Sequence, residues 1–196
     1  MANSYVPEFL DIDANTQAAA AAALNPSFVL KVPEDAEKNT DKKNNEYFRW
    51  SEPAVIDAAW RESTDKGLLI AVVQSKIRAG SANGGNRVWA RHIIHPQVLV
   101  GAADEATTKK YEFMNAKAIN ALTTLLSATD TAPGEGGISG KLLNYLFPVK
   151  NAPGASTPLK GKPVFLNLVD SPNTGERAKS PRQTSVESYL PDDGEE

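Results

Sequence analysis

The sequence predicts a mainly β domain of the α+β class, an OB-fold-like five-stranded, partly open barrel with a long helix between its third and fourth strands. Three observations predict it. A β-branched hairpin signal fills residues 66–94, one long helical pattern follows it, and two further strand-like runs lie toward the C-terminal end.

Taken in order, the elements are these. The run TQAAAAAALNP has high helix propensity and is closed by Asn25 and Pro26, so a short N-terminal helix is expected. PSFVLKVPE (26–34) alternates well enough for a first strand, and DAEKNTDKKNNE (35–46) reads as a polar loop. YFRWSEPAVIDAAWRES (47–63) mixes aromatics with a helix-like middle, for which Ser51 or Glu52 with Pro53 supplies a start. KGLLIAVVQSKIRAG (66–80) and RVWARHII (87–94) are the two strands of a hairpin. Asn83, Gly84 and Gly85 between them tolerate the positive φ of a tight turn. Period two in the second strand puts Arg87, Trp89, Arg91 and Ile93 on one face and Val88, Ala90, His92 and Ile94 on the other. From Asp104 to about Leu126, Tyr111, Met114, Ala118, Leu122 and Leu125 recur at helical spacing behind an acidic first turn. KLLNYLFP (141–148) then adds one or two helical turns. PVFLNLVDS (163–171) and RQTSVESYLP (182–191) are the last strands, and the closing DDGEE is expected to be disordered.

With 196 residues, 41% of them apolar, the chain can bury one substantial core. No cysteine is present, which removes disulfides, thiolate catalysis and cysteine-ligated metal sites. No apolar run approaches the roughly 20 residues of a membrane span, and the N-terminus lacks a signal-peptide pattern, so a soluble intracellular protein without membrane contact is expected. The net charge of -3 conceals an uneven distribution. Residues 1–65 hold 6 basic and 12 acidic groups, residues 66–103 hold 5 basic and no acidic groups, residues 136–186 hold 7 against 2, and the last ten hold none against 5. The acidity sits at the ends, and two internal stretches are cationic.

Catalytic and metal motifs fail on their own requirements. A strand would point His92 and His95 of HIIH to opposite faces, with no cysteine or well-spaced carboxylate to complete a metal shell; a partly exposed histidine pair at a strand end is the better reading. GEGGISGK (134–141) lacks the first glycine and the Ser/Thr after lysine of a phosphate loop. No nucleophile elbow or converging set of carboxylates is visible, so no enzyme and no cofactor are expected.

A cationic groove with an aromatic platform is what binding a single nucleic-acid strand requires, and residues 76–91 supply both. The candidate contacts are Lys76, Arg78, Arg87, Trp89 and Arg91, joined by Lys160 and Lys162 from the second cationic stretch. Phe48, Trp50 and Trp60 are second-rank stacking candidates, more readily explained as core.

The succession GGNRVWARHIIHPQ, NAKAINALTTLLSA, LKGKPVFLNLV and SVESYLP resembles the small early proteins that tailed bacteriophages encode among replication and recombination genes. The residues that carry the resemblance are Gly85, Arg87, Trp89, Arg91, Pro96, Gly161, Lys162, Tyr189 and Pro191, within residues 66–191. It implies a single-stranded DNA-binding protein with an OB-like fold, acting in the host cytoplasm. The expected organisation is an arm with an alanine-rich helix (1–25), an OB-like single-stranded DNA-binding domain (26–186) and an acidic tail (187–196). In that tail Asp192, Asp193, Glu195 and Glu196 compete with DNA for the basic groove or meet replication or recombination proteins. Touching protomers, as a homo-oligomer, would make binding cooperative. The rivals are an assembly module that docks an acidic protein and a recombination-associated nuclease or annealing factor.

Overall fold

The computed structural model describes residues 30–65, 67–131, 138–150, 156–171 and 183–192; the alanine-rich arm, the first half of the GEGGISGK stretch, and Asp193, Glu195 and Glu196 lie outside them. Within these residues the strands are β1 (Glu37–Thr40), β2 (Glu46–Ser63), β3 (Leu69–Ile77), β4 (Arg87–Ile94), β5 (Pro163–Ser171) and β6 (Gln183–Pro191). Between β4 and β5 come the helices α1 (Pro96–Leu99), α2 (Glu105–Ala128) and α3 (Gly140–Leu146). Five antiparallel strands in the order β4-β3-β2-β5-β6 form a curled, open half-barrel, and β1 extends the sheet by pairing with β2.

The strand and helix that the sequence places in the first third are corrected. Residues 30–34 form no strand; Leu30 is buried, but the backbone of Lys31 bonds to the side chain of Asn83 instead of to a neighbouring strand. The polar stretch after it is a hairpin arm, β1, whose turn is built on Asp41. Its carboxylate accepts from the backbone N–H groups of Lys43 and Asn45 and from the Asn45 amide, and these bonds hold it below the usual carboxylate range.

The expected helix in 47–63 is part of the longest strand. Trp50, Glu52, Ala54 and Ile56 turn inward at period two, then a bulge between Ile56 and Ala58 shifts the phase so that Ala59 is the next buried residue. That one extra residue leaves Ile56, Ala59 and Trp60 at helix-like spacing, which is why the segment imitates a helix. Pro53 is tolerated because its carbonyl, accepting from Arg78 N–H, faces the β3 side before the β2–β3 ladder begins at Ala54. Its missing N–H falls on that same side.

The hairpin of β3 and β4 forms as expected, with Val88, Ala90, His92 and Ile94 buried and Arg87 and Arg91 exposed. Positive φ is taken up by Gly80 and Gly85, not by Asn83. Asn83 is instead a buried clamp. Its Oδ1 accepts from Lys31 N–H at 2.8 Å, while Nδ2 donates to Lys31 O at 2.9 Å and to the buried Glu52 carboxylate at 2.6 Å.

The core fills the concave side of the sheet and is closed by α2, whose Ala118, Leu122, Leu125 and Leu126 pack against Ile56, Ile77, Ile94, Leu166 and Leu168 in one cluster. α2 starts at Asp104, whose carboxylate accepts from Thr107 N–H at 2.8 Å, and packs on both β4 and β6. These two edge strands do not pair with each other. They are joined by side chains: His92 Nε2 and Tyr189 Oη lie 3.0 Å apart, and Thr124 Oγ1 of α2 accepts from Tyr189 N–H.

The histidine pair is therefore not a partly exposed couple. His92 is buried, whereas His95 caps α1, with its backbone held on both sides by the Asn115 amide of α2. No helix of the described residues is long and apolar enough to cross a membrane.

Two outcomes are expected. Asn83→Ala leaves the Glu52 carboxylate and both backbone groups of Lys31 short of a partner and should cost about 3 kcal/mol, read from the urea midpoint at unchanged slope. A loss below about 1 kcal/mol would mean that water takes over the amide's bonds. The second concerns pH. Burial, helped by the Lys117 charge, pushes His92 down to about 4. The unfolded chain, titrating near 6.5, thus binds the proton first, and stability is lost as the pH falls from about 6.5 toward 4. The loss reaches up to about 3 kcal/mol. Urea midpoints of the protein and of His92→Gln should converge across that window; a constant gap would show that His92 does not titrate differently on folding.

Candidate functional site

The convex face of β2, β3 and β4 carries the chemistry. Cross-strand register groups its side chains in rows: Val55, Lys76 and Arg87; Ala58, Gln74 and Trp89; Trp60, Val72 and Arg91; Glu62, Ile70 and Ile93. Trp60 and Trp89 thus share a face, on diagonal positions either side of β3. Val72, opposite Trp60, and Ile70 in the next row are buried yet stand outside the main core cluster, so the face has an apolar floor.

Of the stacking candidates, only Trp60 joins Trp89 there. Trp50 points inward, 9% exposed, with its indole N–H donating to Glu52, and Phe48 packs against the core, which removes both from the face. Trp60 is half-buried, donates to Glu62 at 2.9 Å and lies beneath the Lys150 ammonium, 5.3 Å from its ring centroid.

The cations are not unopposed. Reading residues 66–103 alone shows only positive charge, but β2 brings two carboxylates onto the same surface. Asp57, the residue added by the bulge, bonds Arg87 Nε at 3.0 Å. Glu62 holds Arg91 at 3.3 Å and Lys150 at 3.1 Å, and its carboxyl is held below the usual range by the Trp60 indole bond, with the two cations adding to it. In each pair the basic side chain is more than half exposed and the acid less than a third, so the cations form the outer layer. Lys76 is exposed, with no ion-pair partner among the described residues.

Arg78 behaves differently. Its guanidinium is taken by the nearly buried carboxylate of Asp192, the residue after β6, so one of the tail acids expected to compete with DNA already sits on a candidate cation. A depression of about 740 Å³ at the turn end of the β3–β4 hairpin is lined by Pro53, Val55, Asp57, Lys76, Arg78 and Gly85, so Arg78 borders the face. Lys160 and Lys162 lie in the turn before β5, where Gly161 at φ +83° bonds back to Ile56 O and Lys162 O accepts from Ile56 N–H. This brings their backbone beside the bulge, within one residue of Asp57.

Sequence pattern alone does not mark Lys150, Arg61 or Tyr145. Arg61 O accepts from Lys150 N–H, the Arg61 guanidinium bonds Asn144, and exposed Tyr145 belongs to the same α3 end. The parallel bridge between Arg61 and Val149 is what carries Lys150 to Trp60. Only the fold brings residues so distant in sequence together, and the signal available beforehand was a lone lysine in a loop.

No group of three or more His, Asp or Glu that could hold a metal occurs among the described residues. Comparison with protein-family models and with curated proteins gives no match for the chain.

Proposed function

We propose that this protein binds single-stranded DNA largely without regard to sequence, protecting and presenting it during replication or recombination of the tailed-bacteriophage kind. The observation that carries this reading is the convex face, where Trp60 and Trp89 stand among Lys76, Arg87, Arg91 and Lys150 over an apolar floor. Aromatic faces stack bases of any identity, and cations around them track the phosphates. The strand order, with helices inserted between β4 and β5, supports an OB-like barrel as the scaffold. In that scaffold β3 and β4 are the second and third strands, the face such barrels use for nucleic acid. The tailed-phage resemblance fits the same reading. Gly85 and Gly161 take positive φ, Pro96 opens α1 and Tyr189 is buried in the core, while Arg87, Trp89 and Arg91 face outward.

An acidic protein partner would meet the same cations but gains nothing from paired indole faces, so base stacking separates the two. Titration with oligo-dT at low salt should quench tryptophan fluorescence and weaken steeply with added salt. Trp89→Ala and Trp60→Ala should each weaken binding roughly 5- to 150-fold, the range of one stacked base. No quenching and no gel shift at low salt would overturn the proposal. Asp192 supplies a further test: truncation after Pro191 frees Arg78 while sparing β6 and should tighten oligo-dT binding. An unchanged affinity would refute competition between tail and DNA.

A further inference from the structure

We propose that Asp57 and Glu62 are anionic placeholders that limit how tightly the convex face holds a single strand and hasten its release. They pair with the cations that backbone phosphates also contact when DNA lies across β2, β3 and β4, and they stay beneath those cations in the complex. The inference rests on the single-strand reading above and concerns how that same face is kept when empty.

Three features carry it. First, both acids act on the cations that flank the two indoles: Asp57 on Arg87, and Glu62 on Arg91 and Lys150. Second, Asp57 stands in the bulge, so the extra residue that breaks the β2–β3 register is itself the one that meets Arg87. A bulge of this kind re-aims a side chain. Third, the layering has a direction. The basic groups are 53–58% exposed and the acids 28–29%, so a phosphate arriving from solvent reaches the cations without displacing the carboxylates.

Each guanidinium also retains donors toward solvent, since only Nε of Arg87 and Nη2 of Arg91 bond the acids. A phosphate thus binds a cation whose charge is already offset by a carboxylate just beneath it. The Coulomb attraction is reduced and the repulsion between phosphate and carboxylate is retained for as long as the strand stays. The basic side chains are held outstretched, but the complex dissociates faster than one formed on bare cations. A protein that must present DNA to other factors gains from that.

The test uses the full chain and oligo-dT, with affinity from tryptophan quenching and release from stopped-flow competition. Asp57→Asn and Glu62→Gln, singly and together, keep the side-chain shape and one acceptor oxygen while removing the charge. Glu105→Gln, an exposed acid of α2 paired with Lys109, is the control for net charge alone. The double variant should bind at least about fivefold tighter at low salt, chiefly through slower release, and the control should match the parent protein. Thermal midpoints confirm that each variant is folded. If the parent binds and the folded double variant binds equally or more weakly, the placeholder role is overturned and the single-strand reading stands. If neither binds at low salt, the single-strand reading fails and takes this inference with it. Equal tightening by Glu105→Gln would also overturn it, because net charge alone would then explain the gain.

Discussion

Everything in this fold is arranged around one strand that serves two barrel partners in succession, besides the short edge strand β1. β2 pairs through Phe48–Val55 with β5 and through Ala54–Ser63 with β3, and only Ala54 and Val55 belong to both ladders. A strand so long cannot stay flat while both halves cover one core, so it coils, and the bulge at Asp57 concentrates the bend just past the shared residues. The half-barrel, the position of its open side and the row pattern of the convex face all follow from that bend. A buried carboxylate is tolerated at Glu52 because the Trp50 indole and the Asn83 amide both donate to it. It lies where β2 curves over the hairpin turn, and the Asn83 amide reaches it there together with the chain at Lys31.

Much of the architecture after residue 66 is legible in the sequence, because its elements obey simple periods. The alternation of β4 gives its two faces, and the spacing of Ala118, Leu122 and Leu125 gives the buried stripe of α2. The first third is not legible, for two physical reasons. A bulge puts two strand phases into one segment and mimics helical spacing, and β1 is a short polar edge strand whose only signal is Asp41 bonding in its turn. The count of five barrel strands survives because the strand at 46–63 takes the first place in the barrel, where the sequence sets the run at 26–34, whose described residues 30–34 form no strand.

The candidate face was legible in part for a related reason. Alternation alone sets Arg87, Trp89 and Arg91 side by side, since they lie on one strand. What a single strand cannot reveal is its neighbour's charge. Asp57 and Glu62 lie about 30 residues earlier in the chain and enter the face only through β-pairing across β3, as Lys150 enters it through the bridge to Arg61. A region that is purely basic in sequence is a mixed ionic surface in space. Its character is set as much by which carboxylates fold onto it as by its own arginines.

The open side of the half-barrel has a bearing on the order in which the chain assembles. His92 and Tyr189 meet across that side although 97 positions separate them, whereas β3 and β4 are joined by a short turn. Contacts of such long range carry a larger loop-closure entropy and form late. The β2–β3–β4 meander, which carries the convex face apart from Lys150, can therefore take shape while β6 is still to be made. On a ribosome, the convex face would precede the seam that locks the barrel, and α2, synthesised between them, would shield the unfinished core in the interval.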